Sequence, residues 1–197
     1  MIGVPLLYYK MDELGMLDCN NENYLWIFDM KWIPIEKLSC RYDIISEGVP
    51  LITFARGMGG DYWCFKKETG LSGITVCLCE HTEFYGVYFA DSLPNAIFKE
   101  IIFYCGSACF DDEPTVAANE LILKNQITLY TDRLKGVLDE KQINILKELT
   151  KRNLKLQTSR YGEWMALLSQ EEVNQIVTST TNFPKSDCTF PIDWVYE

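Results

Sequence analysis

The stretch Val49-Pro-Leu-Ile-Thr-Phe-Ala-Arg-Gly-Met-Gly-Gly-Asp-Tyr-Trp-Cys-Phe65, followed by Ile74-Thr-Val-Cys-Leu-Cys79, decides how the chain reads. Residues 49–55 are a short apolar run between Gly48 and Gly57, the pattern of a buried strand. Arg56-Gly-Met-Gly-Gly60 is a turn in which Gly59 or Gly60 supplies the positive φ that other residues avoid. Residues 61–65 open a second strand, and Glu68-Thr-Gly70 with Gly73 frames another turn. Residues 74–79 are apolar on both faces, as a central strand is, and residues 85–89 are a further strand.

Upstream, residues 24–35 (YLWIFDMKWIPI) are aromatic and β-branched, broken near Asp29, and read as one or two strands. Pro34 marks an edge or a strand end. Downstream the period changes. Leu93, Ile97, Phe98, Ile101, Ile102 and Cys105 form a helical stripe, with Ser92 as N-cap and Gly106 as its stop. Asp111-Asp-Glu-Pro114 is a loop that opens a second helix. Asp139 with Gln142, and Ser169 with Glu172, each form a capping-box pattern. Between them, residues 154–158 and 164–168 pair as a hairpin across Ser159-Arg-Tyr-Gly162. Strands precede helices, so the expected fold is α+β, a mostly antiparallel sheet with helices packed on it, rather than a βαβ arrangement.

The 197 residues are 48% hydrophobic and 13% aromatic, enough for one well-filled core and incompatible with intrinsic disorder. The net charge is -10. Residues 1–114 hold 17 acidic and 8 basic side chains, and residues 115–197 hold 11 and 10. No basic stripe is present to neutralise phosphates, so direct nucleic-acid binding is not expected. An acidic surface repels anionic lipid and steers basic partners into encounter. Eight cysteines could suggest disulfides, but residues 1–10 lack the pattern of a secretion signal, and no apolar stretch approaches a membrane span. The expectation is a cytoplasmic protein whose cysteines are mostly small buried hydrophobes.

Four groups of residues bear on possible chemistry. A phosphate loop at residues 56–60 would need Lys and Ser or Thr after its last glycine, where Asp61 and Tyr62 stand instead. Cys77, Cys79 and His81 share one face of a strand. Their Cα atoms would then be roughly 6.5 Å apart, against about 3.8 Å between sulfurs on one zinc, and a fourth ligand such as Cys105 or Cys109 would come from afar. His81 is the only histidine, so Cys–His or Ser–His nucleophilic chemistry would run through it. Asp61, Glu80, Glu83 and Asp91 give no sign of converging. No catalytic residue, metal or cofactor is expected.

Residues 48–106 resemble the SUKH superfamily, which includes the Smi/Knr regulators of fungal cell-wall synthesis and many bacterial immunity proteins. The resemblance rests on residues 49–55, on Gly59-Gly-Asp-Tyr-Trp-Cys-Phe65, and on the apolar strand and helix that follow in order. Gly59, Gly60, Asp61 and Trp63 carry its structural motif. It implies one domain over residues 1–197, with a SUKH-like core at about 24–112 and a helix-rich C-terminal extension at about 113–197. The family's opening helix is not legible upstream of Tyr24, so the N-terminus reads as shortened or reorganised. The resemblance further implies a non-enzymatic protein-binding module, foremost an immunity protein that neutralises a cognate toxin, with a basic nuclease as the case that charge fits. Its contact candidates are Glu80, Glu83, Asp91, Asp111, Asp112 and Glu113, with Tyr62, Trp63 and Tyr85 as aromatic anchors and Trp63 better suited to the core. The alternatives are a regulatory scaffold, like the fungal relatives, and a metal- or thiol-dependent enzyme using Cys77, Cys79 and His81.

Overall fold

The computed structural model describes residues 3–38, 44–57, 59–67, 73–107, 116–159, 162–181 and 188–195. In chain order the elements begin with helix α1 (Leu6–Glu13), strand β1 (Lys31–Trp32), helix α2 (Ile35–Leu38) and strands β2 (Ile44–Ser46) and β3 (Val49–Pro50). Strands β4 (Ile52–Arg56), β5 (Tyr62–Lys67), β6 (Ile74–Cys79) and β7 (Tyr85–Ala90) follow. Then come helices α3 (Leu93–Ser107), α4 (Val116–Arg133) and α5 (Glu140–Leu149), and strands β8 (Lys155–Ser159) and β9 (Gly162–Ala166). Helix α6 (Gln170–Thr180) and strands β10 (Thr189–Pro191) and β11 (Asp193–Trp194) complete the order. The fold is α+β, with its largest sheet ordered β1-β4-β5-β6-β7-β10 and antiparallel at every pairing.

The chain divides into two compact units, Met1–Ala96 together with Phe183–Glu197, and Ile97–Asn182. The division falls inside α3, and β10 and β11 belong to the first unit. The loop at residues 111–114 and the turn residues 68–70 lie outside the described residues.

In the first unit, β5 and β6 are interior strands with apolar side chains on both faces, so each face needs its own cover. On one face Trp63, Phe65 and Val76 are buried, and α1 supplies Tyr8 and Met11. The Phe54 and Phe65 rings stack at 4.1 Å, and Tyr8 meets both edge-on at 5.8 and 5.5 Å. The Tyr8 hydroxyl lies 2.7 Å from the carbonyls of Ile33 and Phe54 and shares its one proton between them. Burial pushes its pKa well above the phenol range, so it stays a donor. The other face holds Cys64, Cys77, Cys79 and Tyr88 against Ile44, Leu51, Phe190 and Ile192. These last four lie in or beside the small sheet β11-β2-β3 and the β10 strand.

Several elements differ from the sequence expectation, each for a local reason. Helix α1 exists upstream of Tyr24; it is hard to see because only Tyr8 and Met11 of its eight residues are buried. Residues 24–35 pair as a strand only at Lys31–Trp32. Asp29 takes a left-handed φ of 57° and folds the chain back, so that Ile27 bridges Met30. As Pro34 suggests, β1 is an edge strand. Residues 49–55 are two strands in different sheets, because Pro50 has no N–H to continue a ladder. Leu51 stands between them, buried, its N–H bonded to the Ile44 carbonyl at 2.9 Å. Beyond α6 the chain returns to the large sheet, where β10 pairs with β7 and places Phe190 opposite Gly86. A Cβ at Gly86 would lie 2.5 Å from the Phe190 ring, so the missing side chain is what lets the ring seat.

In the second unit, both expected capping boxes form. The Asp139 carboxylate accepts the Gln142 N–H while Gln142 reaches back, and Ser169 with Glu172 repeats the arrangement. The expected hairpin is β8 with β9. Leu123, Ile127, Tyr130 and Leu134 form the buried stripe that begins in α4. Helix α3 does not stop at Gly106. A Cβ there would sit 2.5 Å from Val173, so this glycine serves a close approach by α6 instead of a cap.

Two predictions follow from this packing. Gly86→Ala is expected to cost about 1–3 kcal/mol in urea unfolding, and to cost less when Phe190 is already alanine, the Cys79 sulfur at 3.1 Å then being the remaining close contact. The second concerns acid. The backbone N–H of Ser169, helped by Arg152 at 2.7 Å, holds the Glu172 carboxyl below the usual carboxylate range. Lys124 at 2.7 Å and the Leu154 N–H at 3.0 Å do the same for Glu120. A lowered folded pKa contributes stability above the unfolded value, about pH 4.3, and loses it as pH falls through the folded one. Glu120→Gln with Glu172→Gln, which keeps the capping box, is expected to flatten the fall in melting temperature below about pH 4.3. The effect is small because both pairs are partly solvated.

Candidate functional site

The loops that join the sheet's strands at one end come together around Asp61. Between β4 and β5, the Gly57 N–H donates to the Asp61 carbonyl at 2.8 Å and the Gly60 N–H to the Gly57 carbonyl at 3.2 Å. Gly60 supplies the positive φ, 93°, at a turn position where a larger residue would be strained. The Asp61 carboxylate then reaches the β6–β7 connection. It accepts the backbone N–H of His81 at 3.2 Å and lies 3.1 Å from ring Nδ1. The glycine-aspartate turn is thus a clasp between two neighbouring loops, and Trp63 behind it is buried with its indole N–H bonded to the Asp29 carbonyl at 2.8 Å.

The clasp separates His81 from the two cysteines that share its spacing. Cys77 and Cys79 are fully buried among apolar side chains, whereas His81 is half-exposed in the turn. Among the described residues, no Cys, Ser or Thr side chain is hydrogen-bonded to His81, and no three His, Cys, Asp or Glu side chains form a metal-binding group. Contact with Cys64 lowers the Cys79 pKa, but contact with Cys77 and burial outweigh it and hold the thiol protonated. Burial likewise pushes Cys105 up to about 12. These thiols lack the electropositive, accessible setting that a nucleophile needs. Cys40 and Cys109 lie outside the described residues.

The β6–β7 connection gathers some of the expected contact residues. Glu80 is exposed, Glu83 is half-buried, and Tyr85 is exposed at the first position of β7. Asp91 sits beyond the other end of β7, roughly 20 Å away along an extended strand. Its carboxylate is engaged by the Asn95 amide at 2.7 Å and the Ser92 hydroxyl at 3.2 Å. Asp111, Asp112 and Glu113 are outside the described residues. Tyr62 is half-buried, under the Arg56 guanidinium and 5.4 Å from the Trp194 ring.

The residue missed in the sequence is Phe84, whose side chain is 73% exposed. Its backbone is held firmly nonetheless. The Phe84 carbonyl accepts the Ile192 N–H at 3.1 Å, and the Glu83 carbonyl accepts the Trp194 indole N–H at 2.7 Å. An aromatic ring in a sequence of strands reads as core, so only its exposure marks it out.

Compared with family models, with curated proteins and with solved structures, the chain matches none. No helix among the described residues is long and apolar enough to cross a membrane.

The anchoring of this corner is testable. Trp194→Phe keeps a ring beside Tyr62 but removes the donor to the Glu83 carbonyl. The expected result is a loss of about 1 kcal/mol in stability and faster amide exchange over residues 80–85, with β5 exchange unchanged.

Proposed function

We propose that this chain is a non-enzymatic protein-binding module whose contact surface is the β6–β7 corner, and that its role is that of an immunity protein neutralising a basic toxin. The observation that carries this reading is Phe84, a large apolar side chain left to water on a backbone pinned by two hydrogen bonds. An aromatic side chain presented by a rigid turn loses little freedom on association, which is what makes such residues binding hot spots. Tyr85 extends the apolar contact, and Glu80 and Glu83 surround it with negative charge.

The charge supports the class of partner. An acidic protein of net charge -10 accelerates encounter with a basic one, and a nuclease presents a basic cleft where nucleic acid would bind. The resemblance of residues 48–106 to SUKH proteins points the same way.

The partner recovered by affinity capture from the producing cell provides the test. Its association rate should fall steeply with added salt. Glu80→Lys with Glu83→Lys should slow association roughly tenfold, while Phe84→Ala should shorten the residence time by about tenfold or more at unchanged melting temperature. A salt-indifferent rate together with an unaltered Phe84→Ala complex would overturn the proposal.

A further inference from the structure

The other edge of the first unit's sheet carries the opposite charge. A cleft of about 470 Å³ opens there, lined by Lys31, Trp32, Ile33, Pro34, Glu36, Lys37 and Arg56. Three cations thus face one carboxylate, in a chain that is strongly acidic overall. Lys31 and Arg56 are direct cross-strand partners in the β1–β4 ladder. Like charges so placed repel each other unless an anion lies between them. Among the described residues, no carboxylate forms an ion pair with Lys31, Lys37 or Arg56.

Arg56 adds a second, independent sign. Its guanidinium lies over the Tyr62 ring at 5.1 Å, and its Nε is buried without an acceptor. A buried donor is expensive to leave unmet, and a planar guanidinium fork matches the paired oxygens of a phosphate. The remaining walls, Trp32, Ile33 and Pro34, are apolar and suit an organic body attached to the anion. The volume lies within the range of small-molecule sites.

We propose that this cleft binds a small phosphate monoester, the phosphate held by Lys31, Lys37 and Arg56 and the ester group set against Pro34. The net charge of the lining matches a dianion better than a single carboxylate. The cleft lies two to four strand spacings, roughly 10–20 Å, across the sheet from the β6–β7 corner.

Phenyl phosphate is the probe, titrated into the full chain with amide shifts followed by NMR. Saturable shifts are expected at residues 31–33 and 56, with affinity roughly tenfold above that for inorganic phosphate or benzoate. Lys31 and Lys37 are both exposed, so Lys31→Gln with Lys37→Gln should leave melting unchanged while weakening phenyl phosphate roughly tenfold or more. Arg56→Gln, which removes the fork, should weaken it further. The proposal is overturned by absent saturation up to about 10 mM or by equal binding to the double variant. Inorganic phosphate binding as tightly as the ester would overturn the role of the apolar walls, and benzoate doing so would overturn the preference for a dianion.

Discussion

Strands β5 and β6 cannot leave either face to water. Trp63, Phe65 and Val76 point one way, and Cys64, Cys77 and Cys79 point the other. Each fully buried large side chain is worth about 1.5–3 kcal/mol, so an uncovered face would cost a large part of a domain's net stability. The first unit answers with two different covers drawn from opposite parts of the sequence. Helix α1 closes the aromatic face, fastened by the shared Tyr8 hydroxyl, and the small sheet with β10 closes the cysteine face. The placement of both candidate sites depends on this arrangement. The β6–β7 corner is held by residues that return to cover one face, and the cationic cleft sits at the edge where the aromatic layer runs out.

Local signals were legible in the sequence because they are settled within a few residues. The two capping boxes, the β8–β9 hairpin, the interior strand at residues 74–79 and the glycine turn all depend on near neighbours. Long-range choices were not legible. Residues 24–35 have a strand's composition, yet one left-handed residue, Asp29, turns them into a loop with a short paired end. Gly106 looks like a helix stop from its neighbours, while its reason for being glycine is Val173.

The candidate site divides in the same manner. Acidic residues at 80 and 83 and the aromatic at 85 are visible as residue types in a turn. The clasp from Asp61 to His81 spans 20 positions, and the bond from Trp194 to Glu83 spans 111. Neither has a sequence signal. Phe84 is hidden for a different reason, since an aromatic beside a strand is ordinarily core. The like-charged pair of Lys31 and Arg56 likewise exists only once β1 and β4 have found their register.

Residues 97–182 interrupt the first unit, so its last strands are translated well after the sheet they complete. While a nascent chain is still emerging, β7 has a bare edge, Gly86 faces no ring and the cysteine face lacks Phe190 and Ile192. An open edge of this kind invites pairing with other chains. Because Trp194 also fastens the Glu83 carbonyl, the corner that presents Phe84 is complete only once residues 189–194 have been made, and a nascent chain short of them would be sticky along that edge.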